Sequence, residues 1–211
     1  YNEAGKILPL LGQLQNEKQC EVIVVDGGSR DETIRLCETC GARVISAPLG
    51  RAQQMNQGSQ VHRASVLLFV HADTRLPKDF VSQILRTVKQ PSFVAGAFRL
   101  AIDDPRLIFR WIAHFANLRS HFLGLPYGDQ GLFVTAHLFH EISGFQPLPI
   151  MEDVELIRRL RRKGTLTTLP VPAITSARRW KKHGVLYTTL INQCSLSYTH
   201  IRAHETDSYL V

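Results

Sequence analysis

The chain has 211 residues, a mid-range 44% hydrophobic content and a formal net charge of +7. That length suits one domain with a sizeable core. No apolar run reaches 18 residues, so no segment reads as a transmembrane helix, and four irregularly spaced cysteines do not make a disulfide scaffold.

Asn2 is placed to cap a helix with Ile7, Leu8, Leu11 and Leu14 on one face, and Pro9 is expected to limit it to two short turns. An apolar run predicts a strand over 22–26. Asp31 is then expected to cap a helix that closes at Gly41. A short strand over 43–46, a helix over 51–64 and a strand over 66–71 follow. Pro77 opens a further helix with Phe80, Ile84, Leu85 and Val88 inward. This alternation over residues 1–90 predicts an α/β fold with a parallel, doubly wound sheet.

The second half is more mixed. A long strand is expected over 94–102, a mostly apolar helix over 106–122, a strand over 130–135 and a helix over 152–163. No repeat, low-complexity tract or linker divides the chain. The first helix should be fed by a strand, and neither methionine, Met55 or Met151, stands at the start. An apolar strand is therefore expected before Tyr1, in a sequence cut or processed at its N-terminus.

Several polar groups sit where apolar runs end, and open α/β sheets bind ligands at the carboxyl ends of their strands. Asp26-Gly27-Gly28-Ser29 follows the first strand. Its glycines permit a tight turn and close approach to a ligand, and its carboxylate can accept from a base or ribose. The plain alternative is a strand-to-helix turn. His71-Ala72-Asp73 stands at another strand end. One carboxylate plus a diphosphate can hold magnesium or manganese, imidazole suiting manganese better; the alternative is a turn cap at Asp73.

Glu152-Asp153 opens a helix, where the dipole stabilises carboxylates, and an Asp there can act as a general base. Tyr127-Gly128-Asp129-Gln130-Gly131 is a glycine-bracketed loop entering a strand. Arg178-Arg179-Trp180 sets two guanidinium groups, suited to phosphate, beside an indole. The runs at 158–163 and 178–182 read as solvated helix faces or as a surface attracting phosphates, nucleic acid or an anionic membrane. Cys37 and Cys40 have metal-like spacing without a second pair, and with the isolated Cys20 and Cys194 they read as structural thiols in a reducing compartment.

In this order and spacing the motifs resemble the family 2 glycosyltransferases, inverting nucleotide-sugar enzymes with a GT-A fold. Among these the chain is most similar to the small single-domain bacterial subgroup called rSAM/selenodomain-associated transferase 2. The resemblance spans nearly the whole chain and implies a GT-A, mostly parallel sheet flanked by helices. The nucleotide-binding half would cover about residues 1–90 and the acceptor-side half 91–211. Asn2 and Glu3 resemble the opening motif. The stretch Val24-Val25-Asp26-Gly27-Gly28-Ser29-Arg30-Asp31 resembles the nucleotide loop, so Asp26 and Gly28 would contact the donor.

Gly50 to Asn56 looks like the segment closing over the nucleotide, with Arg51 facing uracil or phosphate and Asn56 nearby. His71 and Asp73 match the metal motif. Asp129 falls to the substrate side. Glu152 and Asp153 resemble the acceptor-side pair, Asp153 as base, and Arg178, Arg179 and Trp180 the late motif near the diphosphate. Gly27 replaces the usual second Asp of the nucleotide loop, and His71 the first Asp of the metal motif, leaving Asp73 the surer ligand.

The resemblance implies a divalent cofactor, Mn or Mg, and a UDP- or GDP-sugar donor, with the acceptor unidentified. It also implies a cytoplasmic site of action, peripheral on the inner membrane face. No nucleic-acid partner is expected, because aromatics are not interleaved with the basic residues as stacking platforms. Three alternatives remain at this level: a sugar-nucleotide nucleotidyltransferase, a basic nucleic-acid or membrane-surface binding module, and a degenerate transferase that binds nucleotide without turnover.

Overall fold

The computed structural model describes residues 1–185; Cys194 lies outside them. The elements alternate through the first half: α1 (Ala4–Gln15), β1 (Ile23–Asp26), α2 (Thr33–Thr39), β2 (Arg43–Ser46), α3 (Arg51–Gln60), β3 (Val66–Phe69) and α4 (Phe80–Thr87). Then come β4 (Phe93–Asp103), α5 (Leu107–Leu123), a 3-10 turn (Gly128–Gln130), β5 (Leu132–Thr135), α6 (Ala136–Glu141), α7 (Glu152–Arg161), β6 (Thr165–Ser176) and α8 (Arg178–His183).

β1 and β2 pair in parallel, as the alternation requires. β3 instead runs antiparallel to β5, β5 antiparallel to β4, and β4 parallel to β6, so the four-stranded sheet β3-β5-β4-β6 is mixed. β5 is buried along Leu132, Phe133 and Val134, and β4 along Val94 to Phe98, which explains their continuous apolar runs. Ala52, Phe139, Phe145, Leu156, Ile157 and Leu160 gather α3, α6 and α7 into one core cluster; Leu10, Phe80 and Ile84 bring α1 and α4 into another with Phe98 and Phe133.

α1 differs from expectation in three ways. It runs unbroken through Pro9, because burial of Ile7, Leu10 and Leu11 outweighs one lost backbone hydrogen bond. Leu8 faces solvent. Asn2 does not cap it; Asp31 accepts from the Ala4 N–H at 3.2 Å from across the chain. Leu85 of α4 is also exposed rather than inward.

β6 and α6 were not legible as elements. Pro170 and Pro172 break the alternation of β6, yet β6 is an edge strand, where proline is tolerated. The ladder steps from Phe98–Leu169 to Arg99–Pro172, so the irregularity is absorbed there. Cys37 is fully buried beside Ile7, Leu11 and Ala42, and Cys20, Cys37 and Cys40 are free thiols. The basic run at 158–163 also has structural duties: Arg159 pairs with Glu155 and donates to Gly144 O, and Lys163, just past α7, pairs with Glu141.

Gly96 sits opposite Phe133 across the β4–β5 ladder, and a Cβ there would stand 2.2 Å from Phe133 Cζ. Gly96→Ala is expected to cost about 1–3 kcal/mol by forcing this buried ring aside. Urea unfolding should show a lower midpoint with unchanged slope.

Candidate active site

The nucleotide loop is built around Asp26. This carboxylate is 2% exposed. Its Oδ2 accepts the N–H groups of Gly28 and Ser29, both at 2.8 Å, and its Oδ1 accepts the Ser29 hydroxyl. Burial pushes the Asp26 carboxyl up, but the bonds from Ser29 and Gly28 outweigh it and hold it below the usual range. Gly28 takes φ +89°, a conformation open to glycine. Asp26 therefore organises the loop rather than standing open to a base as expected. Asn2 ties down the far side: its N–H donates to Ser29 Oγ and its Oδ1 accepts the Arg30 N–H. At Gly27 a Cβ would meet Gln54 Nε2 at 2.5 Å, so the α3 amide occupies the place of the missing Asp side chain.

Arg51 joins three chain segments at the N-terminus of α3. Its Nη2 lies 2.8 Å from His71 Nε2, just beyond β3. Its Nε lies 3.1 Å from Glu152 Oε1 at the start of α7. That approach is an ion pair without hydrogen-bond geometry, so Glu152 Oε1 is buried with no donor on it. Burial pushes the Glu152 carboxyl up; Arg51 pulls it down and Asp153 pushes it up again. Burial, with Arg51 and Arg179 adding, pushes His71 down to about 3, so its ring is neutral at physiological pH. Guanidinium only donates, so Nε2 of His71 accepts and Nδ1 carries the proton.

The acceptor side meets the same point through the 127–131 loop. The Gly128 N–H donates to Asp153 Oδ2, and the Val154 N–H to Asp153 Oδ1 at 2.8 Å. A Cβ on Gly128 would stand 3.1 Å from Asp153 Oδ2 and 3.3 Å from Arg51 Nη2, so a side chain here would push these groups by a few tenths of an ångström. Gln130, fully buried, fixes the loop: it accepts from the Tyr127 N–H and Ser120 Oγ and donates to Phe98 O. Arg119 of α5 lies 3.5 Å over the Tyr127 ring. The Tyr127 hydroxyl, Asp129 Oδ1 and Arg119 Nη2 are buried without hydrogen-bond partners.

Burial, then the charge of Asp153, pushes Asp129 up to about 6. A carboxyl raised above its unfolded value of 3.8 contributes stability that is full below that value and is lost as pH rises through about 6. Asp129→Asn should therefore be more stable than the parent near pH 8, by at most about 3 kcal/mol, with the gain gone near about pH 4. Thermal melts at both pH values check this; an equal gain at both would refute the burial cost.

A third group lies at the carboxyl end of β6. Arg178 Nη2 donates to Glu3 Oε1 at 2.6 Å, while Glu3 Oε2 is buried with no partner. Burial, then Glu3, pushes the Asp73 carboxyl up, against Arg178 and Lys6. A groove of about 540 Å³ lined by Lys6, Arg178, Lys181, Lys182 and Asp103 opens here, and its cations suit a diphosphate. Among the described residues no three His, Cys, Asp or Glu side chains gather as a metal-holding group. Asp73 fits a cation, since one would relieve its repulsion from Glu3. His71 does not fit in this arrangement, because Arg51 occupies its lone pair.

Two further expected site residues make contacts within the protein. Asn56 bonds both the N–H and C=O of Phe145, at 2.8 Å each, so its amide clamps α3 to the loop after α6. Trp180 is 7% exposed and packs edge-on against Phe109, inside the core. Arg178 and Arg179 are exposed. Sequence reasoning missed Gln54, Arg119 and Lys6. The one visible signal was Arg119, one of two guanidinium groups in the mostly apolar α5.

Residues 1–146 match the family model described as Glycosyl transferase family 2. The chain belongs to this family. An uncharacterized glycosyltransferase of Rickettsia bellii is 31% identical over 105 residues, covering 48% of this chain and 35% of that protein. Glycosyltransferase AglJ of Haloferax volcanii is 33% identical over 75 residues, covering 35% of this chain and 25% of AglJ. The matched stretch thus spans about a third or less of these relatives' length.

Among solved structures, the mannosyltransferase PcManGT of Pyrobaculum calidifontis, in complex with GDP-Man and Mn2+, superposes with a TM-score of 0.66 at 16% identity, over 82% of this chain and 54% of that one. Glucosyl-3-phosphoglycerate synthase of Mycobacterium tuberculosis, with Mn2+, UDP-glucose and phosphoglyceric acid, gives 0.62 at 18%, over 81% and 66%. S. aureus TarS with UDP-GlcNAc gives 0.63 at 18%, over 83% and 56%. These likenesses establish the α/β GT-A fold.

Proposed function

We propose that the protein transfers a sugar from a UDP- or GDP-sugar to an acceptor hydroxyl with inversion at the anomeric carbon. The observation that carries this reading is Arg51, which touches His71 beyond β3 and Glu152 at α7 and lies, like Asp153, beside Gly128 of the acceptor-side loop. The nucleotide-side and acceptor-side motifs of the family therefore meet at one guanidinium.

Asp153 takes the proton of the acceptor hydroxyl as its oxygen attacks the anomeric carbon. The bond to the diphosphate breaks in the same step, and the diphosphate leaves with the electron pair. Arg178, Arg179 and Lys6 balance the charge that builds on it. A single displacement inverts configuration and needs no enzyme nucleophile. Asp73 would hold a manganese or magnesium ion, which supplies further neutralisation of the diphosphate.

The donors named for PcManGT, TarS and the mycobacterial synthase support a nucleotide-diphosphate sugar here. The order of motifs supports placement with the rSAM/selenodomain-associated transferase 2 subgroup. It also supports a nucleotide-binding half over about residues 1–90 and an acceptor half beyond. The site of action we assign is the cytoplasmic membrane surface, with a peripheral attachment.

Donor hydrolysis across UDP- and GDP-sugars, with manganese or chelator, tests the reading. Calorimetry should show manganese strengthening nucleotide binding, an increment that Asp73→Ala abolishes. Equal affinity in manganese and chelator would remove Asp73 as a ligand, and no donor turnover in any condition would remove the transferase reading.

A further inference from the structure

α5 carries an exposed apolar stripe that the catalytic reading does not use. Trp111 is 58% exposed, Phe115 62%, Phe122 73% and Leu107 67%. At roughly 100° per residue these positions, with Leu118, fall within one band of about 80° on the helix. The opposite face is the buried one, through Phe109, Ala113, Ala116 and Ser120. Trp111 and Phe115 stack on each other with centroids 6.0 Å apart, which presents a continuous aromatic surface to solvent. Stripes of this kind mark interaction surfaces.

The ionisable side chains of α5 itself are all basic. α5 contains no acidic residue. Arg99 and Arg110, both exposed, line a groove of about 280 Å³ along its edge together with His114. No described helix is long and apolar enough to cross a membrane. A Trp- and Phe-bearing face with a cationic border is the build of a helix that lies in the headgroup region of an anionic bilayer. A second copy fits less well, because its α5 brings no acidic residue to the basic border of this stripe.

We propose that α5 docks the protein on anionic lipid, its apolar stripe inserted at the interface and Arg99 and Arg110 on the headgroup phosphates. The C-terminal half of α5 also holds the acceptor-side loop, through Ser120 on Gln130 and Arg119 on Tyr127. Docking therefore holds that loop behind α5, one helix diameter of ~10 Å from the bilayer, within reach of an acceptor carried by a lipid. The inference extends the peripheral location proposed above. Its test needs no donor, so its failure leaves the transfer reading standing.

The full chain is mixed with vesicles of phosphatidylcholine alone or with added phosphatidylglycerol. Trp111 is exposed and Trp180 is 7% exposed, so a blue shift of tryptophan emission reports chiefly on the stripe. The shift should appear with phosphatidylglycerol vesicles and be absent in Trp111→Phe, which still co-sediments. Phe115→Ser with Phe122→Ser, both at exposed positions, should weaken co-sedimentation by about tenfold or more while the melting temperature holds. Arg99→Gln with Arg110→Gln should weaken it in a salt-dependent manner. No blue shift, or equal binding by the Phe115→Ser, Phe122→Ser variant, would overturn the proposal. So would a concentration-dependent dimer, formed without vesicles and lost in that same variant, with no lipid binding.

Discussion

Asp153→Asn is expected to lower sugar transfer by about a hundredfold or more while nucleotide affinity stays at the parent level. The carboxylate stands in the first turn of α7, at the positive end of the helix dipole. It is 7% exposed and each of its oxygens already accepts one backbone N–H. Two accepted bonds leave lone pairs for an incoming hydroxyl proton, since an ionised carboxylate has about four. Asparagine keeps the shape and one acceptor, but its NH2 would face a backbone N–H, so a stability loss of about 1–3 kcal/mol accompanies the loss of basicity. Isothermal titration with nucleotide and initial rates with donor and acceptor separate the two effects. Product anomeric configuration, read by proton NMR, should be inverted. Full activity in Asp153→Asn would hand the proton to another group, and Asp129, a neighbouring carboxyl raised to about 6, is the first to examine.

Strand positions and loop motifs were legible because they are local. The apolar run ending at Asp26, the glycines behind it and the acidic start of α7 each declare themselves within a few residues. What was not legible is how the motifs share atoms. Asp26 reads as a ligand-facing carboxylate until three donors from its own loop are found on it. Asn56 reads as part of the nucleotide segment, yet its amide is matched to Phe145, 89 positions away. His71 in place of an Asp reads as a softer metal ligand, and only its contact with Arg51 gives the ring another duty. The β6 strand escaped because Pro170 and Pro172 mimic a loop, and only the sheet order reveals the edge that tolerates them. Side-chain pairing over long separations is set by tertiary packing, on which local pattern is silent.

Arg51→Met should damage both stability and binding, and a second substitution should separate the two. Glu152 is 1% exposed, and Arg51 is the cation beside it, 3.1 Å away. Removing the guanidinium leaves a buried carboxylate without compensation, a loss that reaches about 3–5 kcal/mol where both partners are buried. The Arg51 side chain is 48% exposed, so solvent screening reduces the expected cost to about 2 kcal/mol. The Glu152 carboxyl already lies above its usual range through burial, and the loss of Arg51 raises it further. A carboxyl raised in the folded state takes stability away as pH rises, so the deficit of Arg51→Met should grow toward neutral pH and shrink in acid. Arg51→Met with Glu152→Gln removes the stranded charge and should recover most of the stability. It should not recover nucleotide affinity, expected to fall about tenfold or more in both variants, because a guanidinium that would face uracil or phosphate is gone in each. Urea midpoints and nucleotide titrations on the parent, the two single variants and the double complete the cycle. Recovery of affinity in the double variant would make Arg51 a purely structural partner of Glu152 and would move the nucleotide contact elsewhere.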